Sequence, residues 1–371
     1  MKILLGYSYY RSPVDIRGWV DAWLARLRVA GIDVHGFPLT IDPPGPALTW
    51  PELERDWQRG DRKLLSMYEQ LAKISEDYEI FVNWNGINLH PDFVAQLPTF
   101  NVYGCFDDPE SSDLLSKPVA AAYDLAMVGN IAELESYRKW GVKQVRFWPL
   151  GFRVDDYDPF LTAEHILIGS RDVDIALLCE REMGWRRQRV DRFANAFPDG
   201  CYYGKGWPRG YLDEAERVPL LQRTKIGPNF HNSTGPVNFR TYILPANGVL
   251  QICDNRSHLS KLFDLNKEVI GFDTVEEAID LCRYYLAHDE ERRQIAAAGW
   301  VRAVRDYNEI AVFSLVEKYV HEIQPAKASS AGRASLYVRK HRRRTLGKQV
   351  MDLAKKHSSL LRNFARRVLK R

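Results

Sequence analysis

HNSTGPVNFRTYILPANGVLQICD occupies His231 to Asp254. Small, turn-forming residues lead into a short apolar segment of helical type, and VLQICD then reads as a strand. Asn238 is suited to cap the helix, because its side chain can accept from the free backbone N–H groups of the first turn. Arg240 falls in that first turn, at the end of the helix dipole where a cation is disfavoured. A helix N-terminus entered from a flexible Ser/Thr/Gly loop is a ready site for an anion. An anion beside Arg240 would account for the misplaced charge; the alternative is a solvated surface arginine. The flanking chain has to decide between them.

Working outward, the same alternation repeats. KILLGYS (Lys2–Ser8), DVHGFPL, YEIFVNW (Tyr78–Trp84), TFNVYGCF (Thr99–Phe106), YDLAMVG and QVRFWPLG are short apolar runs of strand type. Between them lie stretches of helical spacing. Ile16, Trp19, Val20, Trp23, Leu24 and Leu27 form one; Leu53, Trp57, Leu64, Tyr68 and Leu71 form another, opened by the capping box Thr49–Glu52. Residues 151–172 are polar and interrupt the pattern, which places a hinge there. The alternation then restarts with VDIALLC, a helix over 187–197, CYYGKGW, TKIGPNFHN and the opening stretch. A capping box at Thr274–Glu277 starts a further helix, Asp289 opens another, and Glu309–Ile323 is the last helix of the body. Strands alternating with helices mean parallel sheets covered on both faces. The expected fold is therefore α/β, with two Rossmann-like doubly wound domains facing a cleft. Ligands of such sheets bind outside the carboxyl ends of the strands, which is where the loop before Arg240 lies.

The composition agrees with a globular body: 371 residues, 45% hydrophobic and 12% aromatic. The N-terminal apolar run is too short for a signal peptide, and no stretch approaches the roughly 18 apolar residues of a membrane span. Cys105, Cys179, Cys201, Cys253 and Cys282 are scattered without a C-x-x-C pair, as expected of core thiols in a reducing compartment. Charge is unevenly spread. Residues 333–371 hold 14 Lys and Arg against the single acid Asp352, a balance of +13, so the chain's net +4 leaves −9 on residues 1–332. A mildly acidic body with a strongly basic tail points to a polyanionic partner.

Several segments together resemble the CgeB-like (spore-maturation type) glycosyltransferases of the GT-B fold. They are KIGPNFHN, FRTYILPANGVLQICDN and LFDLNKEVIGFDTVEEAIDLCRYYLAHDEERRQIAAAGWVRAVRDY, with GINLHPDFVAQLPTFNVYGCFDDPE and YRKWGVKQVRFWPLGF upstream. The resemblance covers most of residues 1–323 and none of the tail. It implies an acceptor-binding domain over 1–152 and a nucleotide-sugar-binding domain over 172–308. A closing helix over 309–324 and a linker with basic amphipathic helical tail over 325–371 complete the expected layout. It implies no cofactor and no metal, with a UDP-type nucleotide sugar as substrate. Asp172-Val173-Asp174, a nominal D-x-D, sits at a strand start and reads as structural. The family pattern R-x-F-E-x-x-A-x-G is met by Arg240 and Tyr242, but its glutamate, which accepts from the ribose hydroxyls, is replaced by Ile243. Asp254 is the candidate replacement.

Transfer of a sugar needs cations and N–H donors at the departing diphosphate. Arg240 and the backbone N–H groups of Asn238 and Phe239 are the first candidates. Lys205, in a Gly-flanked turn after a strand, is the next, with Asn229 and His231 as contacts to sugar or phosphate. A base for the acceptor hydroxyl is expected from Asp107 or Asp108 in CFDDPE, after the fourth strand, with His90 in NLHPDF as runner-up. A glycosyltransferase-like binding module without turnover, or another nucleotide-sugar enzyme such as an epimerase, remains the alternative.

In the tail, Leu346, Val350, Leu353, His357, Leu360, Leu361, Phe364 and Val368 recur at helical spacing, preceded by the cluster Arg339, Lys340, Arg342, Arg343 and Arg344. Apolar stripe and flanking cations together suit a helix lying in an anionic membrane interface. Packing on the body or on a partner is the competing reading. Nucleic acid is not expected, because the tail has few aromatics to stack and the body is acidic. The protein is thus expected in the cytoplasm, peripheral at the inner face of the membrane, with a glycan or lipid-linked acceptor.

Overall fold

The computed structural model describes residues 1–8, 16–41, 48–85, 88–182, 186–232, 235, 238–323 and 332–368. Two parallel sheets form the body. The first contains β1 (Ile3–Tyr7), β2 (Val34–Pro38), β3 (Ile80–Trp84), β4 (Phe100–Cys105), β5 (Leu125–Val128) and β6 (Val145–Phe147), in the order β2-β1-β3-β4-β5-β6. The second contains β7 (Val173–Leu178), β8 (Cys201–Tyr203), β9 (Thr224–Asn229), β10 (Leu250–Cys253) and β11 (Ile270–Gly271), in the order β11-β10-β9-β7-β8. β1, β3, β4 and β5 are apolar runs because helices cover both faces; their side chains feed two separate cores, one on each side of the first sheet. Strand order reverses between β1 and β3 and between β7 and β9, and such switch points open crevices at the carboxyl edge.

Two features differ from the sequence reading. The helix expected to run through from Trp50 to Leu71 is two helices, Trp50–Arg59 and Arg62–Ile74. Gly60, at φ 65°, ends the first, and the Asp61 carboxylate caps the second by accepting from the N–H groups of Lys63 and Leu64. A helix at Glu214–Arg223 and the two-residue β11 carry too weak a pattern to read: the first holds Pro219, and the second is too short for alternation.

The chain crosses between the domains twice, side by side. The first crossing is at Gly151–Phe152, where Phe152 N donates to Tyr307 O (3.0 Å), and the second follows at Asn308. Gly151 has φ 66°, and a Cβ there would lie 2.6 Å from Tyr307 O, so only glycine permits this close pass. Most of the segment read as a polar hinge already belongs to the second domain. Buried Asp156 pairs with Arg153 (3.0 Å) and Arg217 (2.6 Å), and the helix Ala163–Ile168 packs on the helix Asp289–Asp306.

After the second crossing, the helix Glu309–Ile323 returns to the first domain. Val312, Phe313, Val316 and Val320 enter the core around Trp23 and Val102, and Trp148 Nε1 donates to Val312 O (3.0 Å). The tail is one helix, Arg333–Val368, beginning thirteen residues before the stripe that announced it. Its first turns dock on the first domain: Ala334 and Val338 are buried there, His341 stacks on Trp57 at 3.7 Å and Arg342 pairs with Glu69 (3.0 Å). Leu346, Val350, Met351 and Leu353 are exposed. The packing reading therefore holds for the first turns of the tail, and contact with the body continues to Gln349, which donates to Arg59 O (2.8 Å). No described helix is long and apolar enough to cross a membrane.

Candidate active site

The carboxyl edges of the two sheets face each other across a cavity of about 450 Å³. From the first domain it is lined by Phe106, Asp107, Glu110 and Ser111, which follow β4; from the second, by Glu180 after β7, Arg186, and His231, Asn232, Asn238 and Arg240 after β9. The second sheet's contribution thus sits at its switch point.

Arg240 opens the helix Arg240–Ala246. Phe239 takes the cap position in backbone terms, yet the capping bond is the one expected: Asn238 Oδ1 accepts from Thr241 N (3.1 Å). The Arg240 guanidinium donates to Asn229 Oδ1 (3.0 Å), Leu178 O (3.0 Å) and Phe230 O (3.1 Å), the carbonyls that end β7 and β9. Five N–H donors are available to arginine, so two remain for a ligand. Arg186, at the start of the helix Arg186–Ala196, donates to Glu180 O (2.6 Å) and to the same Phe230 O (3.4 Å), and its Nε has no partner. Neither arginine is ion-paired among the described residues. Burial, with the neighbouring Arg186 charge, pulls Arg240 below the usual guanidinium value. Two cations held side by side without a carboxylate, one at the N-terminus of an eleven-residue helix, make a site for an anion. Arg240 is thus a carbonyl-anchored side chain of the cleft and not a solvated surface arginine. Arg186 was not singled out from the sequence, because it stands in the run Arg186-Arg187 and Arg189 that reads as a solvated helix face.

Asn229 and His231 hold this arrangement from beneath. Asn229 is buried and bonded to Asn238, Thr241, Gln251 and Arg240. His231 is also buried; Asp254 accepts from its backbone N–H (3.0 Å) and meets its Nδ1 (2.6 Å), and Arg189 completes the Asp254 carboxylate (3.0 Å). His231, Cys253 and Asp254 lie close enough to suggest a metal cluster. Their contacts are those of a hydrogen-bonded brace, with His231 Nε2 directed to Thr241 Oγ1 (3.1 Å) and burial raising the Cys253 thiol pKa. Asp254 also borders a second cavity, of about 790 Å³, with Arg256 and Asp273 at the carboxyl ends of β10 and β11. Gly235, at φ 100°, lies against Asn130 of the first domain, where any side chain would overlap the Asn130 carboxamide.

The remaining candidates separate. Asp107 is exposed to the cleft and accepts from Asn85 Nδ2 (2.6 Å). Asp108 is buried and accepts from the Tyr137 hydroxyl. Tyr242 is fully buried against Tyr307, and Ile243 is buried in the same apolar cluster. Lys205 is exposed in the turn after β8 and does not line the cavity. Phe239 is 46% exposed and faces an adjoining aromatic pocket. His90 does not line the cleft and stacks 4.7 Å from Trp57; its Nε2 meets Glu54 (2.8 Å) and its Nδ1 accepts from Asp92 N (3.2 Å), so both ring nitrogens are occupied. Asp172 and Asp174 sit at the opposite edge of the sheet, paired with Arg223 and Lys225. Glu180, a cleft carboxylate that accepts from the Tyr211 hydroxyl (3.1 Å), had no signal beyond its place after a strand.

Burial holds both His90 and His231 below the ordinary histidine value of 6.5, against their carboxylate partners. The unfolded chain therefore binds more protons than the native one as pH falls below about 6.5, so stability is full above that value and declines beneath it. Asp254 is shifted downward despite its burial, because His231 bonds to it, and its contribution is lost only at pH below 3.8. The melting temperature should fall on acidification from about pH 8 to about pH 5.5, and His90→Gln should flatten that dependence.

Residues 185–314 match a family model described as "Glycosyl transferase-like". Sucrose-phosphate synthase from Thermosynechococcus elongatus superimposes with a TM-score of 0.60 at 14% identity, covering 87% of this chain and 99% of that one. A glycosyltransferase from Rickettsia africae gives 0.56 at 14%, covering 88% and 99%. Anabaena HepE in complex with UDP gives 0.54 at 12%, covering 87% and 100%. No curated protein matches the chain in sequence. The chain has the two-domain GT-B architecture, and the segment matched by the family model is the one that carries Arg186 and Arg240.

Proposed function

We propose that the protein is a glycosyltransferase that moves a sugar from a nucleoside-diphosphate sugar to a hydroxyl acceptor. The observation that carries this reading is the pair Arg186 and Arg240, two cations without carboxylate partners at the switch point, facing Asp107 across the cleft. The acceptor oxygen bonds to the anomeric carbon while the bond from that carbon to the diphosphate oxygen breaks. The electron pair leaves with the diphosphate, whose growing charge the two guanidiniums stabilise, and the hydroxyl proton passes to the Asp107 carboxylate. A UDP-type donor is supported by the neighbouring fold solved with UDP, and the CgeB-like subtype by the segments set out above. A binding module without turnover is the second reading, favoured by Ile243, which offers nothing to a ribose hydroxyl. Incubation with a panel of nucleotide sugars, scored for released nucleotide with and without glycan acceptors, separates the two. Binding without release supports the module, and the absence of both removes the transferase.

The acceptor is proposed to be a membrane-associated glycan or glycolipid, met from the cytoplasm at the inner leaflet. The later turns of the tail support this, with Leu346, Val350, Met351 and Leu353 exposed and basic residues continuing through Arg371. Each cation near an anionic surface contributes about 1 kcal/mol. Full-length protein should sediment with anionic liposomes and not with neutral ones, and a chain ending at Ile323 should lose the preference. Equal sedimentation of both forms would remove the membrane from the proposal.

A further inference from the structure

We infer that an aromatic pocket beside the cleft binds an uncharged apolar group on the acceptor, next to the hydroxyl that reacts; this deepens the transferase reading and rests on it. The pocket has a volume of about 120 Å³ and is walled by Trp19, Trp23, Trp84, Trp148, Phe106 and Phe239. Trp19 and Trp23 stack at 5.7 Å and 17°, and Trp84 leans on both, 5.7 Å from Trp19 and 5.0 Å from Trp23. Its position assigns it to the acceptor. Phe106 lines both this pocket and the cleft, and Asp107, the base, is the next residue. A group seated among the indoles therefore leaves its neighbouring hydroxyl beside Asp107, on the opposite side from Arg186 and Arg240.

The chemistry of the walls selects the group. The two charged residues at the rim are already paired: Glu309 accepts from Arg26 (2.5 Å) and Arg153 bonds Asp156 (3.0 Å) while lying 5.3 Å over the Trp19 ring. A charged ligand finds no partner there, and a sugar ring enclosed by these walls would bury hydroxyls with few groups to bond them. Apolar cavities of about 150 Å³ take benzene, whereas sites for drug-sized ligands span roughly 300–1,000 Å³. The occupant is thus a single ring or a short stretch of chain. Wall residues from both domains also mean that the group is enclosed only when the domains face each other as they do here, since Phe239 comes from the second domain.

Binding, rather than turnover, tests this. Methyl, hexyl and phenyl β-glucosides are titrated into the full-length protein and followed by tryptophan emission and calorimetry, with UDP titrated separately. The hexyl or phenyl glucoside should bind at least tenfold more tightly than the methyl glucoside, and whichever binds better identifies the group as chain or ring. Trp84→Ala should bring the ratio close to one while UDP affinity stays unchanged. Should that variant fail to fold, Phe239→Ala, at an exposed wall, should reduce the same ratio. Equal binding of the three glucosides, or a ratio unaltered by both substitutions, overturns the pocket's role. Failure of UDP to bind counts against the UDP donor instead and leaves the glucoside comparison readable.

Discussion

Arg240→Ala lowers the affinity for the donor's nucleoside diphosphate at least tenfold, and Arg186→Ala does the same. A hydrogen bond to a charged group contributes about 1.5–3 kcal/mol, which is roughly one to two decades in a dissociation constant. Both guanidiniums are anchored by carbonyls and keep donors to spare, so most of the loss comes from the ligand side. Phe230 O accepts from both, and residues sharing a partner do not act independently; the double variant should lose less than the product of the single losses. Calorimetric titration measures the effect, and the melting temperature checks that the ends of β7 and β9 survive without Arg240. Unchanged affinity in both single variants would place the diphosphate elsewhere.

Asp107→Asn lowers kcat by about two to four decades, the range of general base catalysis, and leaves the affinity for nucleoside diphosphate unchanged. The side chain is exposed and its partner, Asn85, tolerates a carboxamide, so the fold is not at stake. Asp108→Asn acts differently. Its carboxylate is buried on the Tyr137 hydroxyl, and Asn130 bonds its carbonyl, so the change should register chiefly in the melting temperature. Wild-type kcat in Asp107→Asn would redirect the search to Glu110, the next carboxylate along the same lining. His90 is no longer a candidate on geometry, with its ring between Trp50 and Trp57 and both nitrogens engaged.

Legibility in the sequence followed the physics of each feature. The strands of the first sheet were plain because parallel strands covered on both faces are continuous apolar runs, as in ILLGY and IFVNW. The loop before Arg240 was legible because a cation in a helix's first turn is a local anomaly that needs a cause. Arg186 was not, since its meaning depends on Phe230, forty-four positions away, which binds both guanidiniums. Tyr242 shows the opposite error: its place in a motif suggested contact with the ligand, but two residues' step around the helix from Arg240 carries it into the core against Tyr307. The aromatic pocket gathers Trp19, Trp84, Trp148 and Phe239 from distant segments and had no linear signature at all. The tail's helix was legible from Leu346 onward by its spacing, whereas its docked first turns looked simply basic because Tyr337 and His341 are hidden among arginines.

The return of the helix Glu309–Ile323 to the first domain also sets an order of events at the ribosome. Domains generally fold as they emerge, N-terminal first, but here the core around Trp23 and Val102 waits for Phe313, Val316 and Val320, which are made after the whole second domain. The second domain is therefore the one able to complete itself during synthesis, while the first is exposed along its Trp148 face until release is near. A nascent chain arrested just after Tyr307 should accordingly protect its second half from protease before its first, and supply of Glu309–Ile323 as a separate peptide should close the gap.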